Sequence, residues 1–369
     1  MSPGPVELRP VATRRERRLF RDLPARLFGD DPAFIPMLDA AFAAVMDRKK
    51  NPFWRHAEGC EWLAWRGGQP VGRVGACHDE ALPDGYGAIG FFDCGDDLGV
   101  SAALFAEACA WLRARGCTVA RGPLNYSIHD TAGVLVDGHD TPPAIDTTWN
   151  PPHYGAAFEA AGFRGAQDML GVAGTLVPGG PPRGHRFADR AKKKGATVRT
   201  LDVSRFNDEI RLFFEVYNRA WADNWGHTQI TFDEFAFKAK DLKAVMDPDL
   251  IQLVEVDGRP VGCFFGLPDL NVAIKKSRGK LLPWGWLRLL RARNNCRRRN
   301  RVMILGVVPE MRRRGLEALM LSASAKAFAA RYEWSEASWV LADNAVILNG
   351  LSLYGLHPYK RWRMYEKEL

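Results

Sequence analysis

A hairpin-like stretch occurs twice in this chain. Glu61–Ala76 has two short apolar runs around Gly67-Gly68, Leu250–Phe265 has two around Asp257-Gly258, and Pro70-Val71-Gly72 returns as Pro260-Val261-Gly262 at an offset of 190 residues. Such glycine-bearing pairs between alternating runs mark tight hairpin turns. A second anchor keeps nearly that spacing. Asn150 with Ala161-Gly162-Phe163 corresponds to Asn344 with Tyr354-Gly355-Leu356, about 193 residues on. Two anchors at nearly the same offset predict a duplicated α/β (α+β, mixed-sheet) domain, each copy running strand, helices, hairpin, strand, helix, strand, helix, strand. The copies are expected at 1–176 and 197–369, with a Pro/Gly-rich linker over 177–196. Within the first, Val6–Val11 reads as a strand and Arg14–Leu27 as a helix broken near Pro24.

The second copy holds the stretch with the clearest chemistry, Arg301–Met320 (RVMILGVVPEMRRRGLEALM). The apolar run from Val302 to Val308 reads as a buried strand that Pro309 stops. Arg312, Arg313, Arg314 and Gly315 then form a turn, and Leu316, Leu319, Met320 and Ala323 recur at helical spacing. Unpaired N–H groups and a positive dipole end make such a helix start an anion site, with three arginines adding charge and forked donors. Basic residues at a helix N-terminus otherwise oppose the dipole, so the run implies an anion. In the first copy, strand Ile89–Cys94 instead meets Asp96 and Asp97, which would repel a phosphate. Only the second copy is therefore expected to bind one, and the first reads as a degenerate partner whose helix Ala102–Arg115 matches Leu316–Arg331.

The spacing of Val307, Pro309, Arg312 and Gly315 resembles the acyl-CoA pyrophosphate loop of the GNAT acyltransferase superfamily. Glu317 departs from it, standing where most members have glycine or alanine. Beyond the loop, Asn51–His56, Gly122–Ser127, Gly133–Gly138, Asn150–Tyr154, Tyr217–Trp221, Asn224–Gly226, Leu282–Trp286 and Ser338–Asn344 resemble a tandem-GNAT bacterial family over nearly the full length, one similar to the bacterial ceramide synthases. The resemblance implies two tandem acyl-CoA N-acyltransferase domains and transfer of a fatty acyl group from acyl-CoA to a long-chain amine. It also implies a donor site formed by Val307, Val308, Arg312, Arg313, Arg314, Gly315, Leu316, Glu317 and Asn344. Acetylation of a small soluble amine or protein lysine, and a scaffold without turnover, stay open beside it.

Direct attack of an amine on a thioester needs an oxyanion donor, a base and an acid for the departing thiolate. The Val307 N–H is the expected oxyanion donor. The superfamily's usual tyrosine falls at Leu351, so Tyr354 and Tyr359 are the alternative acids, against ordinary aromatic packing for both. Glu336, or His129 beside Asp130, are candidate bases. Asn125 and Tyr126, with Asn218, Trp221, Asn224 and Trp225 at i, i+3, i+6 and i+7, are candidate acceptor contacts; the alternative for the last four is a helix packing its tryptophan face on the sheet.

A basic segment, 275–301, interrupts the second copy with eleven Lys/Arg among leucines and tryptophans. Pro283 can start a helix in which Trp286, Leu287 and Leu290 share a face, with Trp284, Arg288 and Arg291 beside it, a composition suited to an anionic membrane surface. Core packing and a nucleic-acid patch are the alternatives; tryptophan with a basic face favours the membrane. Net charge of +8 agrees with an anionic partner. Seven scattered cysteines show neither a metal spacing nor a disulfide framework. No metal is expected. No apolar run has the length of a membrane span or signal core, so the expected location is cytoplasmic, peripheral at the inner membrane.

Overall fold

The computed structural model describes residues 4–175, 180–243, 245–295 and 298–369. Its strands are β1 Glu7–Pro10, β2 Ala57–Arg66, β3 Gln69–Asp79, β4 Tyr86–Cys94, β5 Val119–Gly122, β6 Val134–Asp137, β7 Arg164–Gly174, β8 Ala196–Thr200, β9 Ile251–Val256, β10 Arg259–Pro268, β11 Arg299–Val307, β12 Trp334–Leu341 and β13 His357–Glu368. Its helices are α1 Arg14–Phe28, α2 Asp39–Met46, α3 Leu98–Arg113, α4 His153–Ala160, α5 Pro182–Lys193, α6 Phe206–Trp221, α7 Phe232–Leu242, α8 Asn271–Lys276, α9 Gly285–Asn295, α10 Leu316–Arg331 and α11 Ala345–Leu353. Both hairpins form where the sequence puts them. Gly67, Gly68, Asp257 and Gly258 all take positive φ, as a turn matching strand twist requires.

The chain divides into two compact units. Unit 1 holds Met1–Met169, Ile274–Pro283 and Lys360–Leu369; unit 2 holds Leu170–Ala273 and Trp284–Tyr359. Compared with the contiguous halves drawn from sequence, the stretch from Leu170, residues 274–283 and the last ten residues change side. The reason for the last change is strand pairing. In unit 1, β1, β2, β3 and β4 are antiparallel neighbours and β4 pairs parallel with β5. The end of β13 then pairs antiparallel with both β5 and β6, and Tyr365 stacks on Phe158 in the core at 5.1 Å.

Unit 2 carries β8, β9, β10 and β11 as antiparallel neighbours, with β12 parallel to β11. Helix α6 lies on β10 and β11, while α5 lies on α10 through its buried Gly184, Ala188 and Ala191. The expected linker is therefore mostly helix. Pro182 sits at the helix start, where a missing N–H costs nothing, and three small residues spaced for one face allow close approach. Residues 177–179 of that linker, residue 176 before it and Cys296 lie outside the described residues.

Three other helix expectations change. Helix α1 runs through Pro24 unbroken, because the Phe20 carbonyl that proline cannot bond accepts from Arg73 Nη1 at 2.6 Å. Helix α6 ends at Trp221, so Asn224 and Trp225 lie in the turn beyond and only Asn218 and Trp221 share its surface. Helix α9 starts at Gly285, two residues after Pro283.

Candidate functional site

In unit 2 the parallel ladder between β11 and β12 spans only Arg299↔Trp334 to Val302↔Ala337, although both strands continue past it. On its other side β11 stays paired with β10 to the register Gly262↔Val307. The Val308 N–H donates to Val261 O at 2.9 Å, which makes 308/261 the hydrogen-bonded pair and 307/262 the non-bonded one. In an antiparallel ladder the residue of a non-bonded pair turns its own N–H and C=O away from its partner strand. The Val307 amide thus faces the side that β12 has left. Val307 and Val308 are buried.

Immediately beyond, α10 begins without a side-chain cap, so its first N–H groups are not satisfied from within. The N-cap is Gly315 at φ 80°, and a Cβ there would lie 2.7 Å from Phe187 O of α5; both facts demand glycine. Arg313 and Arg314 are exposed. Arg312 is committed to the scaffold: its Nη2 donates to Ala220 O at 2.8 Å in the last turn of α6, and its Nε to Val307 O at 3.3 Å. Glu317 in the first turn of α10 is half-buried. Burial raises its carboxyl above the usual range, which lowers the cost of an acid beside a bound anion. An uncapped helix end, two exposed arginines and an outward-turned strand amide together suit a thioester carried on a phosphorylated arm.

Unit 1 shows the same framework with its opening filled. Cys94 is the equivalent of Val307, since each ends its strand opposite the repeated hairpin glycine, Gly72 or Gly262. The β4–β5 ladder also stops early, at Ala88↔Arg121. Here the Cys94 N–H donates to Tyr154 OH at 3.2 Å, the Phe91 N–H to Asn125 Oδ1 at 2.7 Å and the Leu124 N–H to Ile89 O at 2.8 Å. The start of α3 is closed as well. Asp97 pairs with Arg66 and accepts from the Val100 N–H at 3.0 Å, which in that order hold its carboxyl below the usual range. The helix carries its own anion, as the aspartates in the sequence suggested.

The remaining candidates fall into different settings. Asn125 also donates to Thr131 Oγ1 at 2.6 Å, and the buried Tyr126 donates to Glu61 at 2.7 Å, so both side chains hold unit 1 together. His129 lies in the same loop, its N–H donating to Ser127 Oγ at 3.2 Å. In unit 2, Tyr354 is 3% exposed; it shares a hydrogen bond with Ser322 and donates to Ala318 O, under the Gly184 face of α5. Packing claims that hydroxyl, because the stretch that sequence read as a linker folds as α5 over it. Asn344 caps α11 through the Ile347 N–H at 3.2 Å. Trp221 covers Gly306 of β11, where an added Cβ would lie 2.2 Å from its ring, and it stacks on Tyr217 at 4.9 Å. Asn218 donates to Ile230 O at 3.0 Å, tying α6 to the segment before α7.

Glu336 is not a solvated strand-end acid. It is fully buried beside the last rungs of the β11–β12 ladder and accepts from Ser338 Oγ at 2.6 Å and from the Tyr359 hydroxyl. Arg301, 2% exposed and opposite Glu336 in register, donates to Ser338 Oγ and Ser338 O, both at 2.9 Å. Burial and the Glu336 charge push the Tyr359 phenol well up. Sequence reading missed Arg301 and Ser338. The available signal was an arginine directly before the apolar run Val302–Val308, which has to find a buried partner.

In the basic segment, Leu282, Trp284, Trp286 and Leu290 are 79%, 68%, 47% and 41% exposed, whereas Leu289 and Ala292 turn inward. Arg288 and Arg291 are exposed beside them and Leu287 is half-buried. No helix among the described residues is long and apolar enough to cross a membrane, and no group of three or more potential metal ligands occurs among them.

No family model matches the chain. It is 38% identical over 373 residues, 98% of this chain and 97% of the relative, to the bacterial ceramide synthase of Caulobacter vibrioides. It is 34% identical over 374 residues, 98% of this chain and 95% of the relative, to Protein YghO of Escherichia coli. Among solved structures, a tandem GNAT protein from the clavulanic acid biosynthesis pathway matches with a TM-score of 0.59 at 15% identity, covering 99% of this chain and 98% of that one. A GCN5-related N-acetyltransferase from Sphaerobacter thermophilus matches with a TM-score of 0.53 at 15% identity, covering 98% and 95%. These two likenesses show the fold, a tandem GNAT arrangement.

Proposed function

This chain belongs to the tandem-GNAT bacterial acyltransferase family that includes the bacterial ceramide synthase, and from that premise we propose that it transfers a fatty acyl group from acyl-CoA to the amine of a long-chain base at a membrane surface. It is an N-acyltransferase. The observation that carries the reading is the open side of β11: an outward-turned Val307 amide directly before an uncapped, arginine-flanked helix start. The diphosphate of the donor sits on the α10 N–H groups with Arg313 and Arg314, and the thioester carbonyl meets the Val307 N–H. The neutral amine attacks that carbon, the C–N bond forms, and the C–S bond breaks. The amine's proton passes to Glu336 through the Tyr359 or Ser338 hydroxyl bonded to it and is then returned to the departing thiolate, which leaves as thiol.

The exposed Trp284, Trp286 and Leu290, bordered by Arg288 and Arg291, support work at an anionic membrane, where a long-chain base resides. Two measurements test the reading. Thiol release from a long-chain acyl-CoA should depend on added sphingoid base, and a flat trace with every long-chain amine tried would refute it. Co-sedimentation with phosphatidylglycerol-containing vesicles should be lost when Trp284 and Trp286 are changed to alanine; unchanged binding would refute the membrane part.

A further inference from the structure

Helix α5, invisible as a helix in the sequence, presents an unusual surface. Arg183, Arg186, Arg190, Lys192, Lys193 and the following Lys194 are all exposed, with Asp189 the one acid among them. None of the six has an ion-pair partner among the described residues. Its 12 residues span roughly 18 Å. The middle of the helix lies against the donor loop, Phe187 O facing Gly315.

We propose that this basic face docks an acidic acyl carrier protein, which delivers the acyl group on a phosphopantetheine arm to the same opening that accepts acyl-CoA. The proposal rests on the acyl-transfer reading above. Its own support is charge and place. A nucleotide diphosphate is already met by helix N–H groups and two arginines, so six further cations strung along a helix call for an extended anionic surface. Phe187 is the only large exposed apolar residue on α5, which argues against insertion into lipid; that composition belongs to α9. A carrier seated on α5 would stand beside the start of α10, where its arm must enter. The bond changes are those of the acyl-CoA reaction: C–N forms, C–S breaks, and the carrier leaves as its thiol with the proton lost by the amine.

The test measures binding of a recombinant acyl carrier protein, loaded with a long-chain acyl thioester, to the wild-type chain and to a double variant, Arg186→Glu with Arg190→Glu. Transfer from that carrier and from acyl-CoA to a sphingoid base is followed in parallel. Wild-type binding should weaken with salt, and the reversal should weaken it by about tenfold or more. KM for acyl-CoA and the thermal midpoint should stay unchanged, and the pair Arg186→Lys with Arg190→Lys should restore carrier binding. No binding at low salt would overturn the proposal. So would an equal loss for both donors, since the face would then serve the nucleotide phosphates. Transfer from acyl-CoA without carrier binding would leave the function standing and sink the docking; carrier binding without transfer from either donor would do the reverse.

Discussion

Arg312 and Arg314 stand two positions apart in one loop and serve different ends. All three arginines of the loop are exposed, but Arg312 fastens it to the end of α6, while Arg313 and Arg314 stand beside the α10 N-terminus. Arg313→Ala and Arg314→Ala should each weaken acyl-CoA binding by about 1–3 kcal/mol, the worth of a charge-assisted phosphate contact, as titration calorimetry at fixed ionic strength would show. Arg312→Ala should instead lower stability against urea by about 1 kcal/mol, through the lost bond to Ala220 O. Unchanged affinity in the first two variants would retire the loop assignment. Read as sequence, all three arginines share one role, because a string of charges carries no partners. Glu336 makes the same point: as text it is a lone acid on a strand, and only its burial and its bonds from Ser338 and Tyr359 reveal its setting.

Among the elements, α3 and α10 are equivalent helices of 16 residues with opposite beginnings. One is closed by Asp97 and the other is left open. Asp97→Ala should cost about 0.5–2 kcal/mol of stability, the usual value of an N-cap, and leave acyl-CoA affinity unchanged. The pH dependence follows from the lowered folded pKa of Asp97. Its contribution is present above the unfolded carboxyl value and is lost as pH falls through the folded one. Urea melts of both proteins between neutral and acid pH should therefore converge, and a constant gap would contradict the cap. The closed and open starts were legible in sequence as aspartates against arginines. The continuity of α1 and the existence of α5 were not. Pro24 and the Pro/Gly run carry the usual breaker signals, and what overrides them is a distant arginine in one case and a packing face in the other.

For the molecule as a whole, the end of the chain belongs to unit 1. Asp168 holds Arg361 and Arg363 at 2.8 and 2.7 Å, and Trp362 is fully buried with its Nε1 donating to Thr148 O. Truncation before Lys360 should strip β5 and β6 of their partner strand, so hydrogen exchange there should lose protection while β9 and β10 keep theirs. Equal protection in the truncated and full chains would refute that view of unit 1. What the sequence determined by itself was whatever repeats or is read locally: two α/β copies, both hairpin turns, and the strand, basic loop and helix start of the second copy. Those depend on spacing and on backbone rules acting over a few residues. The tertiary structure alone decided that the β11–β12 ladder opens beside Val307, that the first copy fills the same gap with Asn125 and Tyr154, and that the last strand completes the first unit. Each of these is a pairing between segments far apart in the chain, and hydrogen-bond partners at that range leave no trace in local pattern.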